Sequence, residues 1–499
     1  MLSTLTITEA HEKMKRKQIS CIELVQACLD RIAAVDPKLH AVVYNNGEEA
    51  LKRAKEVDKK GDFSHPLAGI PYLAKDVYCE KGIPTTGCSN ILRGNEGSLP
   101  TETRSAQVGK TYCPPYDSTT TKRLNAVGAI SLGKSNTDEF TMGASTETSC
   151  YGPTRNPWDI SRVAGGSSGG SAAGVASHEC IFALGTDTGG SIRQPAGFCG
   201  CAGLKVTYGR TSRYGVMSMA SSLDTIGPLG KTVEDLAIVL ETIAGHDDYD
   251  ATTPDVPVPK YRESLDTPMK GMKIGLPKEY FIPGMDGEVE AAVREAAKIL
   301  GKLGASITDV SLPHTKYGVA CYYVICPSEV SSTMARYDGI RYGHSVGNAK
   351  DLTDYYERVR SEGFGPEVKR RIMIGTYALS AGYIDAYYTK ACKVRALVKR
   401  DFDEAFQKVD ALLAPVSPAP AFEVGAHADD PVAMYLEDVF TVLANIAGTP
   451  GLALPCGFTN GGLPIGMQLL GPQFGEERIL QIGHAYEQAT EWHTYKPSL

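Results

Sequence analysis

The chain has 499 residues, of which 42% are hydrophobic and 22% charged, and a formal net charge of −7. That composition supports a large buried core, and the length allows several domains or one large α/β unit. It excludes a broad nucleic-acid-binding face, because no basic run is longer than three residues, as in Lys369-Arg370-Arg371, and it excludes a membrane span, because no apolar run reaches the ~18 residues one needs.

The N-terminus, MLSTLTITEAHEKMKRKQ, lacks the apolar stretch of a signal peptide, so a cytoplasmic protein is expected. Residues Thr6–Ala34 read as two helices. Thr6 with Glu9, and Ser20 with Glu23, have the spacing of capping boxes. Cys21, Val25, Cys28, Leu29 and Ile32 then fall on one helical face. Leu67–Val77 is an apolar run broken by Lys75, as expected of a buried strand. Arg93–Lys110 is polar and aperiodic, and reads as a surface loop or insertion. Asp117–Val127 predicts a short helix and Ala129–Gly133 a strand. Ser171–Ala176 opens a helix of small residues, and Cys180–Leu184 is the strand that follows it. His246–Met269, rich in Asp and Pro, reads as a long loop. Met272–Leu276, Glu288–Leu303 and Ala305–Leu312 form a β-α-β pattern. Helical patterns occupy Tyr322–Arg341, Pro366–Phe406 and Asp438–Ala447, and strand patterns Ala411–Ala414, Gly451–Cys456 and Pro464–Leu470. The alternation of helix and strand favours an α/β sheet.

The 13 cysteines include no C-x-x-C pair, and there is no H-E-x-x-H. Buried reduced thiols and no metal site are expected. Gly128–Ser135 matches the phosphate-binding pattern G-x-x-x-x-G-K-[ST], but the order of elements is wrong for it. A helix precedes Gly128, and the would-be loop holds Ala129, Ile130 and Leu132.

The chemistry concentrates in Val163–Arg193, where two glycine-serine turns, Gly165–Ser171 and Gly189–Ser191, flank a helix-then-strand pattern. Glycines before a serine let the backbone expose N–H groups beside a hydroxyl, which is what acyl transfer needs. Ser191 is the candidate nucleophile, and the backbones of Thr188, Gly189, Gly190 and Ser191 are candidate oxyanion donors. A flexible Gly/Ser linker is the alternative. Gly165–Gly169 spells G-x-S-x-G, yet Asn156–Arg162 before it is not the apolar strand of a nucleophile elbow. Lys75, flanked by apolar residues, offers another base, since desolvation lowers a lysine pKa. Ser167 could relay the proton. Lys75 could equally reach solvent or pair with Asp76.

GIPYLAKD around Lys75, GGSSGGSAA at 165–173, GTDTGGSIRQPAGFCG at 185–200 and the 24-residue interval from Ser167 to Ser191 together resemble the amidase signature family. The resemblance covers nearly the whole chain. It implies a Ser191–Ser167–Lys75 triad of nucleophile, bridging serine and base, with a cis peptide at Gly166–Ser167. The implied fold is a single large α/β domain with a mixed central β-sheet covered by helices on both faces. Residues 1–60 would be an N-terminal helical segment packed on an amidase signature domain over 61–499. GKSNTDEFTMGASTE (133–147), EGFGPEVKRRIMIGTYALSAGYIDAYY (362–388) and NIAGTPGLALPCGF (445–458) resemble the branch that supplies ammonia to tRNA-dependent amidotransferases. That likeness implies hydrolysis of glutamine, with Arg371 on its α-carboxylate, Asp438 on its α-ammonium and Tyr322 in the pocket wall. It also implies two partner subunits, one of which uses ATP and Mg to amidate mischarged tRNA and carries most of the tRNA contacts. A stand-alone amidase of the same family is the alternative. The chain departs from the family pattern at Gly87-Cys88, at Val206 and at Thr225, and in a longer connection over Arg93–Lys110; none of these touches the triad.

Overall fold

The computed structural model describes residues 1–95 and 107–499. Thirteen strands occur among them: β1 Val42–Asn45, β2 Pro71–Lys75, β3 Gln107–Val108, β4 Ile130–Ser135, β5 Phe182–Asp187, β6 Ala202–Lys205, β7 Thr225–Gly230, β8 Lys273–Pro277, β9 Ser306–Val310, β10 Tyr342–Gly343, β11 Ala411–Pro415, β12 Gly451–Phe458 and β13 Pro464–Leu470. Eleven build one mixed sheet in the order β1-β4-β2-β5-β7-β6-β12-β13-β11-β8-β9, while β3 and β10 pair separately. The neighbours β4, β2 and β5 run parallel, as do β11, β8 and β9; the centre is antiparallel. Helices flank this sheet. The single α/β domain with a mixed sheet matches the expected fold class.

β2 and β5 owe their place to composition. Both are buried along their whole length, so only a near-continuous apolar run suits them. Their register sets Ala74 opposite Leu184, which brings Lys75 and Thr186 to the same carboxyl end of adjacent parallel strands. In open α/β sheets that end is where ligand sites form.

Both capping boxes form, at Thr6 with Glu9 and at Ser20 with Glu23, and each opens a helix, Ile7–Lys15 and Cys21–Leu39. The segment 1–60 is not helical throughout. Its residues Val42–Asn45 are the edge strand β1 beside β4, and a further helix spans Gly47–Lys60. The helix expected over Asp117–Val127 runs Thr119–Ala126, because Ser118 rather than Asp117 accepts the N–H of Thr121. The β-α-β unit forms as β8, the helix Gly287–Lys302 and parallel β9. The helix expected from Asp438 begins only at Val442, leaving Asp438 in the preceding turn, where its carbonyl accepts the N–H groups of Thr441 and Val442. Of the loop expected at Arg93–Lys110, residues 96–106 lie outside the described residues.

The phosphate-loop look-alike is a strand. Lys134 lies in β4, fully buried, with its Nζ 2.6 Å from Glu80 Oε2 and donating to the Tyr78 carbonyl at 2.5 Å. Its charge is spent inside the protein. Two apolar cores meet at the site described next. One packs along the sheet through Leu73, Leu184, Ile192 and Leu452. The other joins Tyr322, Ile325, Phe402, Val442 and Leu443 in the helical layer.

Candidate active site

Lys75 ends β2 and is completely buried. Its Nζ lies 2.7 Å from Ser167 Oγ, 2.9 Å from Ser168 Oγ and 2.9 Å from Thr186 Oγ1. Three hydroxyls therefore surround the three N–H positions an ammonium would have. Burial strips the amine of solvation and lowers its pKa from 10.5 to about 7, against the pull of Asp138 and Asp187 toward the charged form. Neutral and charged lysine are then comparably populated near neutrality, as a general base requires. Lys75 does not pair with Asp76, whose carboxylate is occupied by Thr86 and by the N–H of Cys88.

Ser167 is held by its own turn. Gly165 has φ +80°, open to glycine, and the Gly166–Ser167 peptide is cis. Gln194 Oε1 accepts the N–H of Gly166 at 2.9 Å, and Thr146 Oγ1 donates to the Gly165 carbonyl at 2.8 Å. A Cβ on Gly166 would strike the Asp138 carboxylate and lie 2.5 Å from Ser145 N, so no side chain fits there. The following helix, Gly169–Ala176, is small residues except for Val175 because it lies on the neighbouring backbone. A Cβ on Gly170 would come 2.6 Å from the Ala41 carbonyl.

The second turn leaves β5 at Asp187. That carboxylate accepts the N–H of Gly190 at 2.9 Å and of Ile192 at 3.2 Å. Burial pushes its carboxyl up, and the Arg193 guanidinium more than reverses this, holding it at about 2. Arg193 is itself fully buried. It bonds Asp187 through Nε and Nη2, each at 3.1 Å, and reaches the Thr441 carbonyl, Asn445 and Gln468. The two turns are tied directly, since the N–H of Ser168 donates to the Ser191 carbonyl at 3.1 Å. Among the described residues, no hydrogen bond joins the Ser167 and Ser191 hydroxyls. Gly190 leaves the set of candidate oxyanion donors, because Asp187 takes its N–H. The N–H groups of Thr188, Gly189 and Ser191 make no hydrogen bond to other described residues, and those three remain.

Tyr322, on the helix Gly318–Thr333, lies against Gly189, where a Cβ would sit 2.7 Å from the ring Cζ. Arg371 is buried on the helix Pro366–Leu379. Its Nε donates to Glu367 at 2.8 Å, and its guanidinium lies over the Tyr323 ring at 5.4 Å and the Tyr435 ring at 5.6 Å. Those two rings stack on each other at 3.9 Å. Arg371 lines a cavity of about 370 Å³ together with Glu139, Ser145, Glu367 and Tyr435. Asp438 is buried and accepts the Tyr323 hydroxyl at 3.3 Å. Burial raises its pKa to about 8, with Arg371 opposing. A guanidinium at its ring and a carboxyl group at its hydroxyl thus meet at Tyr323, and the carboxyl becomes an anion as pH rises toward 8.

Several of these residues carry no motif of their own. Ser168, Thr186, Tyr323 and Glu367 emerge only from packing. Asp187 and Arg193 leave one trace in the sequence: opposite charges six positions apart across a Gly-Gly turn in an otherwise uncharged stretch. Thr225, at a position where the family pattern differs, donates its hydroxyl to the Asp187 carbonyl at 2.7 Å and so fits the same turn. Among the described residues, no group of three or more His, Cys, Asp or Glu could hold a metal ion, and no helix is long and apolar enough to cross a membrane.

The family model described as Amidase matches residues 23–480. The chain is 53% identical over 498 residues to a glutamyl-tRNA(Gln) amidotransferase subunit of Carboxydothermus hydrogenoformans, covering 99% of each chain. It is 52% identical over 501 residues to the protein of the same name in Geobacter metallireducens, covering 100% of each. It superimposes with a TM-score of 0.77 on the crystal structure of the same glutamyl-tRNA(Gln) amidotransferase subunit from Thermotoga maritima, at 38% identity over 98% of this chain and 95% of that one.

Proposed function

The chain belongs to the amidase family, and from that premise we propose that it is the glutamine-hydrolysing subunit of a tRNA-dependent amidotransferase. The observation that carries the reading is a buried guanidinium and a buried carboxyl group, Arg371 and Asp438, which both meet Tyr323, while the adjacent Tyr322 lies against Gly189 of the second turn. A zwitterionic amino acid needs one cation and one anion at its head group. Arg371 spends its Nε on Glu367, which leaves the Nη end for an α-carboxylate. Asp438 pairs the α-ammonium, and Tyr322 walls the side chain toward Ser191.

In the mechanism, neutral Lys75 accepts the proton of Ser167 as Ser167 accepts that of Ser191. The Ser191 oxygen attacks the side-chain amide carbon. The oxyanion of the tetrahedral intermediate takes hydrogen bonds from the N–H groups of Thr188, Gly189 and Ser191. Removing one such donor in comparable sites costs ~10²–10³ in rate. The C–N bond breaks, the relay returns the proton to nitrogen, and ammonia leaves. Water then adds to the glutamyl ester by the same relay, releasing glutamate and restoring Ser191. The ammonia passes to one of two partner subunits, which uses ATP and Mg to convert Glu-tRNA(Gln), Asp-tRNA(Asn) or both to the amidated product. This chain holds no cofactor of its own, its tRNA contacts are made mainly through the partner, and the cytoplasm is where it works.

The test is Ser191→Ala in the assembled complex. Glutamine hydrolysis is lost, while amidation fed with ammonium chloride persists. Glutamine hydrolysis retained by that variant would sink the assignment.

A further inference from the structure

We infer that Thr441 is a positioning residue that couples recognition of the substrate ammonium to the geometry of the oxyanion turn. The inference rests on the function proposed above. Thr441 is fully buried, and its Oγ1 donates to the Gly189 carbonyl at 2.6 Å. The N–H on the other side of that same Gly189–Gly190 peptide is held by Asp187 at 2.9 Å. One peptide plane is therefore clamped at both ends. The N–H groups on either side of it, those of Gly189 and Ser191, are two of the three oxyanion donors. Their direction is set by the clamped plane between them.

The clamp is joined to the ammonium site. Thr441 lies three residues after Asp438, and its N–H donates to the Asp438 carbonyl at 3.0 Å. The Thr441 carbonyl accepts from Arg193 Nη2 at 2.9 Å, the same nitrogen that bonds Asp187 at 3.1 Å. Both ends of the clamp are thereby tied to one guanidinium. Gly190, at φ +141°, has no room for a side chain because a Cβ would strike the Thr441 hydroxyl. An α-ammonium that draws the Asp438 carboxylate forward pulls on the turn carrying Thr441, and through its hydroxyl on the Gly189 carbonyl. Thr441 thus makes part of the head-group binding energy available in the transition state rather than only in the ground state.

The test compares Thr441→Val, isosteric without the hydroxyl, with Thr441→Ser, which keeps it. Both are assayed in the assembled complex with glutamine and with glutaramate, which lacks the α-ammonium. Thr441→Val lowers kcat for glutamine by about 10- to 100-fold, below the full loss of an oxyanion donor, with KM within about twofold. Thr441→Ser restores kcat to within about threefold. The slow wild-type rate on glutaramate also falls in Thr441→Val, because the clamp aims the oxyanion donors for either substrate, but by a clearly smaller factor than with glutamine, because glutaramate has no ammonium to use the coupling. Thr441→Ala replaces the valine variant if valine does not fold, with the same expected kcat. An unchanged kcat with raised KM would place Thr441 in simple binding. Equal losses in the serine and valine variants would make it packing. Either result overturns the inference while leaving Ser191-dependent hydrolysis intact; wild-type complex that hydrolyses no glutamine removes the underlying function and the inference with it.

Discussion

Thr186→Val tests whether the hydroxyl cage sets the basicity of Lys75. An ammonium has three N–H donors, and Ser167, Ser168 and Thr186 lie at 2.7, 2.9 and 2.9 Å from Nζ. A neutral amine has two donors and a lone pair, so one hydroxyl must turn to donate, and Ser167 is the closest. Valine keeps the shape of Thr186 and deletes one acceptor. Hydrogen bonds to a charged group contribute ~1.5–3 kcal/mol and neutral ones ~0.5–1.5, so the ammonium loses about 1 kcal/mol more than the amine. At 1.36 kcal/mol per pH unit, the Lys75 pKa falls by about 0.7, from the value of about 7 set by burial. In wild type, kcat at saturating glutamine falls about tenfold per pH unit on the acid side of 7, because only the neutral amine is a base. In the variant that limb lies about 0.7 lower, whatever the height of the plateau. The assay is glutamate release from pH 5.5 to 8.5, with the urea midpoint as a folding control. A limb that stays at 7, or moves up, refutes the cage as the determinant.

Asp438→Asn removes the buried anion offered to the ammonium and raises KM for glutamine by about tenfold or more, the cost of truncating a buried charge pair. Because burial holds the wild-type Asp438 at about 8, its carboxylate forms as pH rises, so KM at pH 8 is lower than at pH 6; a KM independent of pH would remove Asp438 from the site. Arg193→Met leaves Asp187 buried without its cation and costs ~3–5 kcal/mol of stability, read as a lower urea midpoint. A variant as stable as wild type would mean that the network does not hold the second turn.

Local chemistry made much of this legible beforehand. The capping boxes at Thr6 and Ser20 need only residues three apart, and both formed where their side chains dictate. β2 was legible as an apolar run because its neighbours on both sides leave no face for water, and the same run made Lys75 conspicuous. The glycine turns were legible because few other residues fit Gly165 at φ +80° or Gly190 at φ +141°. What the pattern did not carry was the direction of each N–H. Four backbone amides in a glycine turn look alike in sequence, and only the Asp187 carboxylate decides that Gly190 is spent internally while its neighbours are not.

The same limit explains the pocket. Tyr322, Arg371 and Asp438 sit on three separate elements, and nothing in their spacing says that they meet; the resemblance to a family supplied them. Packing brings two of them to one ring: Tyr323, stacked on Tyr435 at 3.9 Å, meets the Arg371 guanidinium with its ring and gives its hydroxyl to Asp438. If that ring holds both groups, Tyr323→Leu keeps them but releases the guanidinium and strips Asp438 of its hydroxyl partner. The expected result is a KM for glutamine raised by about tenfold with the acid limb of kcat unmoved, since Lys75 draws its hydrogen bonds from other residues. A shifted limb with an unchanged KM would mean that the head-group pocket and the serine-lysine cage are not separate devices.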